Sequence, residues 1–263
     1  MAAMQHGLIG EIEVASSQGY GHRFEKHSHD EFVISANLFG NEQVWLDGRS
    51  FSAGAGTLTT YNPGQIQSGG VPEDQPWHFV SLYVTADLLS HSLGLARVEF
   101  ARAATYLPGL TQRMAQVVDG SLADDRFLRE RGEERLILLL GDIVQASGVR
   151  LPMEARLARG AVLQLQELLA AQLDVAPNLE QMATPLGLSK FQLLRAFQQD
   201  TGMSPRQWAM QLRTRRAQGL LRAGLAVTEV AHTLGFADQS HLTRHFRAAY
   251  GLPPGQYQRA VRR

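Results

Sequence analysis

The chain has 263 residues, 44% of them hydrophobic and 19% charged, with no cysteine and a formal net charge of zero. That is the composition of a globular protein large enough for one big domain or two ordinary ones, and no apolar run approaches the ~20 residues a membrane helix needs. The lack of cysteine excludes disulfides, thiolate metal sites and cysteine nucleophiles together.

Residues 1–10 lack the basic stretch followed by an apolar core that marks a secretory signal, so a cytoplasmic protein is expected. The zero net charge hides a split: residues 1–155 carry 11 Lys+Arg against 19 Asp+Glu, whereas residues 156–263 carry 14 against 6. A basic half joined to an acidic one is the electrostatic footprint of nucleic-acid binding confined to one domain. Two solvated surfaces of unequal charge would read the same way, so motifs must decide.

From the N-terminus, β-rich stretches at residues 31–38, 42–46, 57–61 and 77–84 are separated by turn signals such as Asp47-Gly48 and Asn62-Pro63-Gly64. This spacing suits a small barrel or sandwich. His27 and His29 alternate on one strand and point two imidazoles the same way, as a metal site would require, and Glu31 extends the alternation. The segments at residues 21–29 and 62–64 resemble a cupin barrel, the fold expected for residues 1–100. The resemblance also argues against a metal: where the cupin pattern places its next histidine, this sequence has Gln67, a poor ligand. His78 is the nearest replacement, but it alternates with Trp77 and Phe79 and so faces the other side. No metal or other cofactor is therefore expected. On the opposite side Trp77, Phe79, Ser81 and Tyr83 form a row that, with His27, His29 and Gln67, is the candidate pocket. An aromatic row of this kind is equally the signature of packed core.

Residues 106–147 read as helical, with Pro108 near one helix start and a second helix through Phe127, Leu128, Leu136, Leu139, Leu140 and Ile143. The apolar surface is too broad for a lone surface helix. Residues 101–155 are accordingly expected to link the domains or pair two copies, or else to pack under the barrel. A hinge is expected at residues 148–153, around Pro152.

The basic half contains an internal repeat. Ala183, Leu186, Gly187 and Leu188 precede Arg195, Phe197, Gly202, Pro205 and Trp208; Ala231, Leu234, Gly235 and Phe236 precede Arg244, Phe246, Gly251, Pro254 and Tyr257. In each copy a short helix runs into a glycine turn and a second amphipathic helix follows, which is the helix-turn-helix pattern. Asn178 with Gln181 forms a capping box, and Ser189 is a natural cap for the helix that follows. Leu193, Leu194 and Phe197 make a buried stripe, matched by Leu242 and Phe246 in the second copy. Between the copies Ser204 caps, Pro205 takes the first helical position, and Trp208, Leu212, Ala217, Leu220 and Leu221 line a rod that ends at Gly224. Two residues sit awkwardly in this pattern. Gly219 lies inside the rod, and Pro185 removes a backbone donor near the end of the first short helix, so a kink or an early end is expected there.

From about residue 157 to 259 the sequence resembles the DNA-binding domain of the AraC/XylS family. Ala231, Gly235, Phe236, Ser240, Leu242, Arg244, Phe246, Gly251, Pro254 and Tyr257 match the signature of its second unit. The resemblance implies an α+β fold in two domains, with a cupin-like barrel followed by helices and an all-α domain of two helix-turn-helix units in residues 156–263. It further implies that Phe191, Gln192, Arg195, Gln239, Ser240, His241 and Arg244 face base edges, and that Lys190 and Arg247 hold phosphates. The expected partners are double-stranded DNA, a small-molecule effector in the barrel, RNA polymerase and a second copy of the chain, with no membrane. A transcription regulator, more commonly an activator, is implied, and not an enzyme. Two alternatives stay open: a metal-dependent cupin enzyme fused to a DNA-binding module, and a structural DNA binder that needs no ligand.

Overall fold

In the computed structural model, residues 3–123, 132–151, 159–175 and 177–261 are described. The chain divides into two compact units, the first made of Met1–Met153 with Ser189–Phe191 and the second of Glu154–Leu188 with Gln192–Arg263.

The first unit is an antiparallel β-structure closed on one side by helices. Its strands are β1 (Ala3–Ile9), β2 (Ile12–His27), β3 (Phe32–Phe39), β4 (Asn41–Leu46), β5 (Arg49–Gly54), β6 (Thr57–Tyr61), β7 (Gln67–Val84) and, after α1 (Ala86–Leu93), β8 (Ala104–Tyr106). The main path runs β1-β2-β7-β3-β6-β8, with β4 paired to β5 and β7. The long strand β7 makes the corner: its first part, at Gln67–Gly70, pairs with β4, and its second part pairs with β3 from His78 to Val84. Its partner β2 bends with it through register shifts between Tyr20 and His22 and between Phe24 and His27. Such irregularities let a sheet curl toward closure.

The sequence reading missed β1, all of β2 but its end and the first half of β7, and the strand it expected through His27 and His29 stops at His27. These segments carry Gly19, Gly21, Gly69, Gly70, Pro72 and Pro76 in place of an alternating apolar row, so neither period nor propensity marks them. Strand β7 is covered on both faces. Val80, Leu82 and Val84 are fully buried on one side, where β7 packs against α2 (Pro108–Leu122), and the odd-numbered residues occupy the other.

Helix α2 also packs on α3 (Gly132–Ala146), and Arg113 Nη1 donates to Asp142 Oδ2 across them at 2.7 Å. Leu136, Leu139, Leu140 and Ile143 are at most 1% exposed within the single chain, so their broad apolar face is already covered. Pairing of two copies would need other residues. Phe127 and Leu128, expected on this helix, lie outside the described residues, as do Pro152 and Met153 of the expected hinge.

The second unit is all helical: α4 (Arg159–Ala171), α5 (Leu179–Ala183), α6 (Lys190–Thr201), α7 (Pro205–Ala223), α8 (Val227–Thr233), α9 (Gln239–Tyr250) and α10 (Pro254–Val261). The Asn178 capping box is present, with Gln181 N donating to Asn178 Oδ1 at 2.8 Å and Asn178 N to Gln181 Oε1 at 3.0 Å. Ser204 caps α7 in the same reciprocal way with Gln207. As Pro185 demands, α5 stops at Ala183 and continues only as a 3-10 turn, Thr184–Leu186. The core of the second helix-turn-helix joins Ala217 and Leu221 of the rod to Val230, Ala231, Leu234, Phe236, Leu242 and Phe246.

Candidate functional site

Two regions of the chain carry chemistry, and each lies within one unit. In the second unit, the turn of the second repeat closes at Gly235, whose φ of +68° is the left-handed conformation glycine adopts without penalty. Helix α9 then starts under Asp238, which accepts from His241 N at 2.7 Å. Because Leu242 and Phe246 are fully buried, the opposite face is turned out, and Gln239, Ser240, Arg244 and Arg247 are exposed along it. Side chains with fan-shaped donors and amides at this place on a helix match the hydrogen-bonding edges of bases, while Arg247, one turn further on, matches a phosphate. Thr243 is half-buried beside this face and was not foreseen.

Helix α6 repeats the arrangement. Leu193, Leu194 and Phe197 are fully buried, whereas Lys190, Gln192 and Arg195 are partly exposed.

Two residues expected to face bases are buried instead. His241 is 2% exposed: its Nδ1 accepts from Ala237 N at 3.2 Å, its Nε2 lies 3.0 Å from His245 Nε2, and its ring packs edge-on to Phe236. With Nδ1 accepting, Nε2 carries the proton and donates to His245. His241 therefore closes the turn from inside. Phe191 is 5% exposed, and with Ser189 and Lys190 it is grouped with the first compact unit, so the apolar spacing of its own helix does not account for its burial.

In the first unit, a small, partly open cavity lies among β2, β3, β4, β6 and β7. His27, His29, Gln67, Phe79, Ser81 and Tyr83 all line it. Trp77 does not. It is buried beyond the end of the cavity, stacked on Phe79 with ring centroids 5.1 Å apart, and its Nε1 donates to Gly21 O. His78 points the other way, as its alternation requires, with Nε2 3.4 Å from Ser16 Oγ.

Sequence reading did not find Phe24, Val33, Ser35, Glu42, Tyr61, Ser68 or Gly69, which complete the lining. Glu42 is the most consequential of these. It alternates with the buried Val44 and Leu46, so it faces inward, and burial pushes its carboxyl up to about 7. Desolvation, followed by the nearby Glu42 charge, raises the Tyr61 hydroxyl, and burial holds His29 below its ordinary value with His27 acting in the same direction. The rings of His27 and His29 stand edge-to-face 5.0 Å apart, and His27 Nδ1 donates to Glu25 O at 2.7 Å. Among the described residues no three His, Asp or Glu side chains converge as a metal site would require.

With this geometry in hand, comparison with known families is decisive. An AraC-like ligand binding domain matches residues 10–140, and a helix-turn-helix domain matches residues 182–260. The chain belongs to the AraC family of transcription regulators. An uncharacterized HTH-type transcriptional regulator of Bacillus subtilis, YbfI, is 24% identical over 88% of this chain and 86% of that protein. The MmsAB operon regulatory protein of Pseudomonas aeruginosa is 24% identical over 92% of this chain and 79% of that protein. The arabinose operon regulatory protein of Escherichia coli is 23% identical over 86% of this chain and 80% of that protein. These relatives are regulators, not enzymes, although cupin-like barrels serve both purposes. The AraC-family chain is thus a cupin-like antiparallel β-domain followed by a helical helix-turn-helix domain. No helix among the described residues is long and apolar enough to cross a membrane.

Proposed function

We propose that this AraC-family chain is a sequence-specific regulator whose DNA affinity responds to a small molecule held in the barrel cavity. The observation that supports it best is the polar face of α9: Gln239, Ser240, Arg244 and Arg247 stand exposed while Leu242 and Phe246 lock the helix from behind. Gln192 and Arg195 on α6 take the same part in the first helix-turn-helix. The rod α7 joins the two helix-turn-helix motifs as one unbroken helix, which would set the two reading helices into successive major grooves on one DNA face, about 34 Å apart. Lys190 and Arg247 contribute phosphate contacts.

In this reading residues 1–100 sense, residues 101–155 connect, and residues 156–263 bind DNA. The effector has a higher affinity for one arrangement of the chain and thereby biases it toward or away from the DNA-competent state. The regulator acts in the cytoplasm as a homodimer and activates transcription through RNA polymerase.

Arg244→Ala and Arg247→Ala separate the two kinds of contact. Arg244→Ala is expected to cost about 1 to 3 kcal/mol on the selected site and to relax base preference in its second half, with random DNA little affected. Arg247→Ala should weaken all sequences alike and reduce the slope of log affinity against log salt by about one. Equal losses on specific and random DNA for Arg244→Ala, measured by fluorescence anisotropy, would overturn the assignment.

A further inference from the structure

We propose that the barrel cavity takes a small organic ammonium, an apolar body carrying one positively charged amine, with the Glu42 carboxylate as its counter-charge. This rests on the reading of the cavity as the effector site and names the chemical class of the effector.

Glu42 supplies the only carboxyl group of the lining, and neither lysine nor arginine contributes to it. Its side chain lies over Gly69, where a Cβ would collide with Glu42 Oε1, so the glycine makes the space the carboxylate occupies. Among the described residues no hydrogen bond or ion pair to Glu42 is present. Lys26 is engaged elsewhere, its Nζ 3.8 Å from the centre of the Trp45 ring, and Trp45 alternates to the opposite face of β4. A half-buried carboxylate with no partner in the fold is costly unless a ligand brings one.

The remaining lining narrows the choice. An anionic effector would meet Glu42 and find no cation to pair with. A polyol could use Gln67 and Ser68, which also line the cavity, but it would leave the Glu42 carboxylate without a counter-charge, and Ser35 Oγ and Ser81 Oγ are already bonded to each other at 2.8 Å. The rings of Phe24, Tyr61, Phe79 and Tyr83 suit an apolar body and attract a cation held near their faces. The titratable groups that share the cavity with Glu42 are His27 at the end of β2, His29 just after it, Tyr61 from β6 and Tyr83 from β7. Burial favours the neutral form of His29, Tyr61 and Tyr83, so Glu42 is the group able to answer a positive charge.

Calorimetric titration of the full chain with benzylamine, benzyl alcohol and benzoate, three ligands that differ chiefly in head-group charge, tests this. At pH 8 benzylamine should bind at least tenfold tighter than either of the others. Its affinity should fall about tenfold between pH 8 and pH 6 as Glu42 takes up a proton near 7, and at pH 7 binding should release about half a proton, read from two buffers of different ionisation enthalpy. Glu42→Gln should lose at least tenfold in benzylamine affinity and most of the proton release. Since the proton release is measured on the unmodified chain, a variant that fails to fold does not decide the matter. Equal or tighter binding of the alcohol or of benzoate would overturn the cation assignment while leaving the cavity an effector site. Failure of all three to bind at millimolar concentration would overturn both.

Discussion

Glu42→Gln should make the barrel more stable, and the gain should grow with pH. The folded chain raises the Glu42 carboxyl from an ordinary value near 4.5 to about 7 by burying it. The sign follows from proton counts. Between those two values the folded state holds a proton that the unfolded state has lost, so stability present below pH 4.5 is lost as pH rises through 7. At 1.36 kcal/mol per unit, the loss approaches about 3 kcal/mol by pH 8, against about 1 kcal/mol at pH 5. Glutamine copies the neutral acid in shape and carries no charge to bury. The stability difference, variant minus wild type, should therefore shift by about 2 kcal/mol in favour of glutamine between pH 5 and pH 8. Every other titrating group is common to both proteins and cancels in the difference. Urea unfolding followed by tryptophan fluorescence isolates the barrel if Trp208 is first replaced by Phe, because Trp45 and Trp77, the other two tryptophans, both lie in the first unit. A difference that is flat in pH, or one that grows toward acid, would mean that Glu42 is paired in the fold, and the reasoning would fail.

Three glycines of the helical unit should respond differently to the same substitution. Gly187 and Gly235 are equivalent turn positions of the repeat with φ of +64° and +68°, but only at Gly235 would a Cβ overlap the backbone of Asp174. Gly187→Ala should cost about 1 kcal/mol from the left-handed strain, and Gly235→Ala about 2 to 4 kcal/mol once the overlap is added, both read from chemical unfolding. Gly219, inside α7 with open space where its Cβ would go, should be stabilised by about 1 kcal/mol on change to Ala, so that thermal melting moves upward. Phe246→Ala, which empties a fully buried site in the second helix-turn-helix core, should cost about 3 to 5 kcal/mol and abolish specific DNA binding.

How much of this was legible in the sequence depended on whether a residue's role left a periodic trace. The helix-turn-helix pair was readable because duplication repeated the apolar spacing around Phe197 and Phe246, and because caps such as Asn178 and Ser204 have local signatures. The early stop of α5 followed from the proline alone. His241 went astray because it flanks a stripe, where sequence spacing leaves the direction open and burial decides it, whereas the burial of Phe191 leaves no trace in the spacing of its own helix. In the barrel, the row Phe79, Ser81 and Tyr83 could be placed on one face, but whether that face was hollow depended on strands β2 and β4, and β2 lacks an alternating pattern. The Glu42 alternation with Val44 and Leu46 is a readable signal, an acid in an otherwise apolar row, although an acid at a strand start is more often solvated.

The central claim, two linked helix-turn-helix units that read DNA together, is tested most directly by selection of the full chain on a randomised duplex library at moderate salt. The account predicts enrichment of a motif with two conserved elements about one helical turn, or roughly 10 base pairs, apart on one face of the duplex. A library that emerges unenriched from a chain verified as folded, or a motif with a single element that Arg195→Ala and Arg244→Ala leave equally well bound, would contradict it.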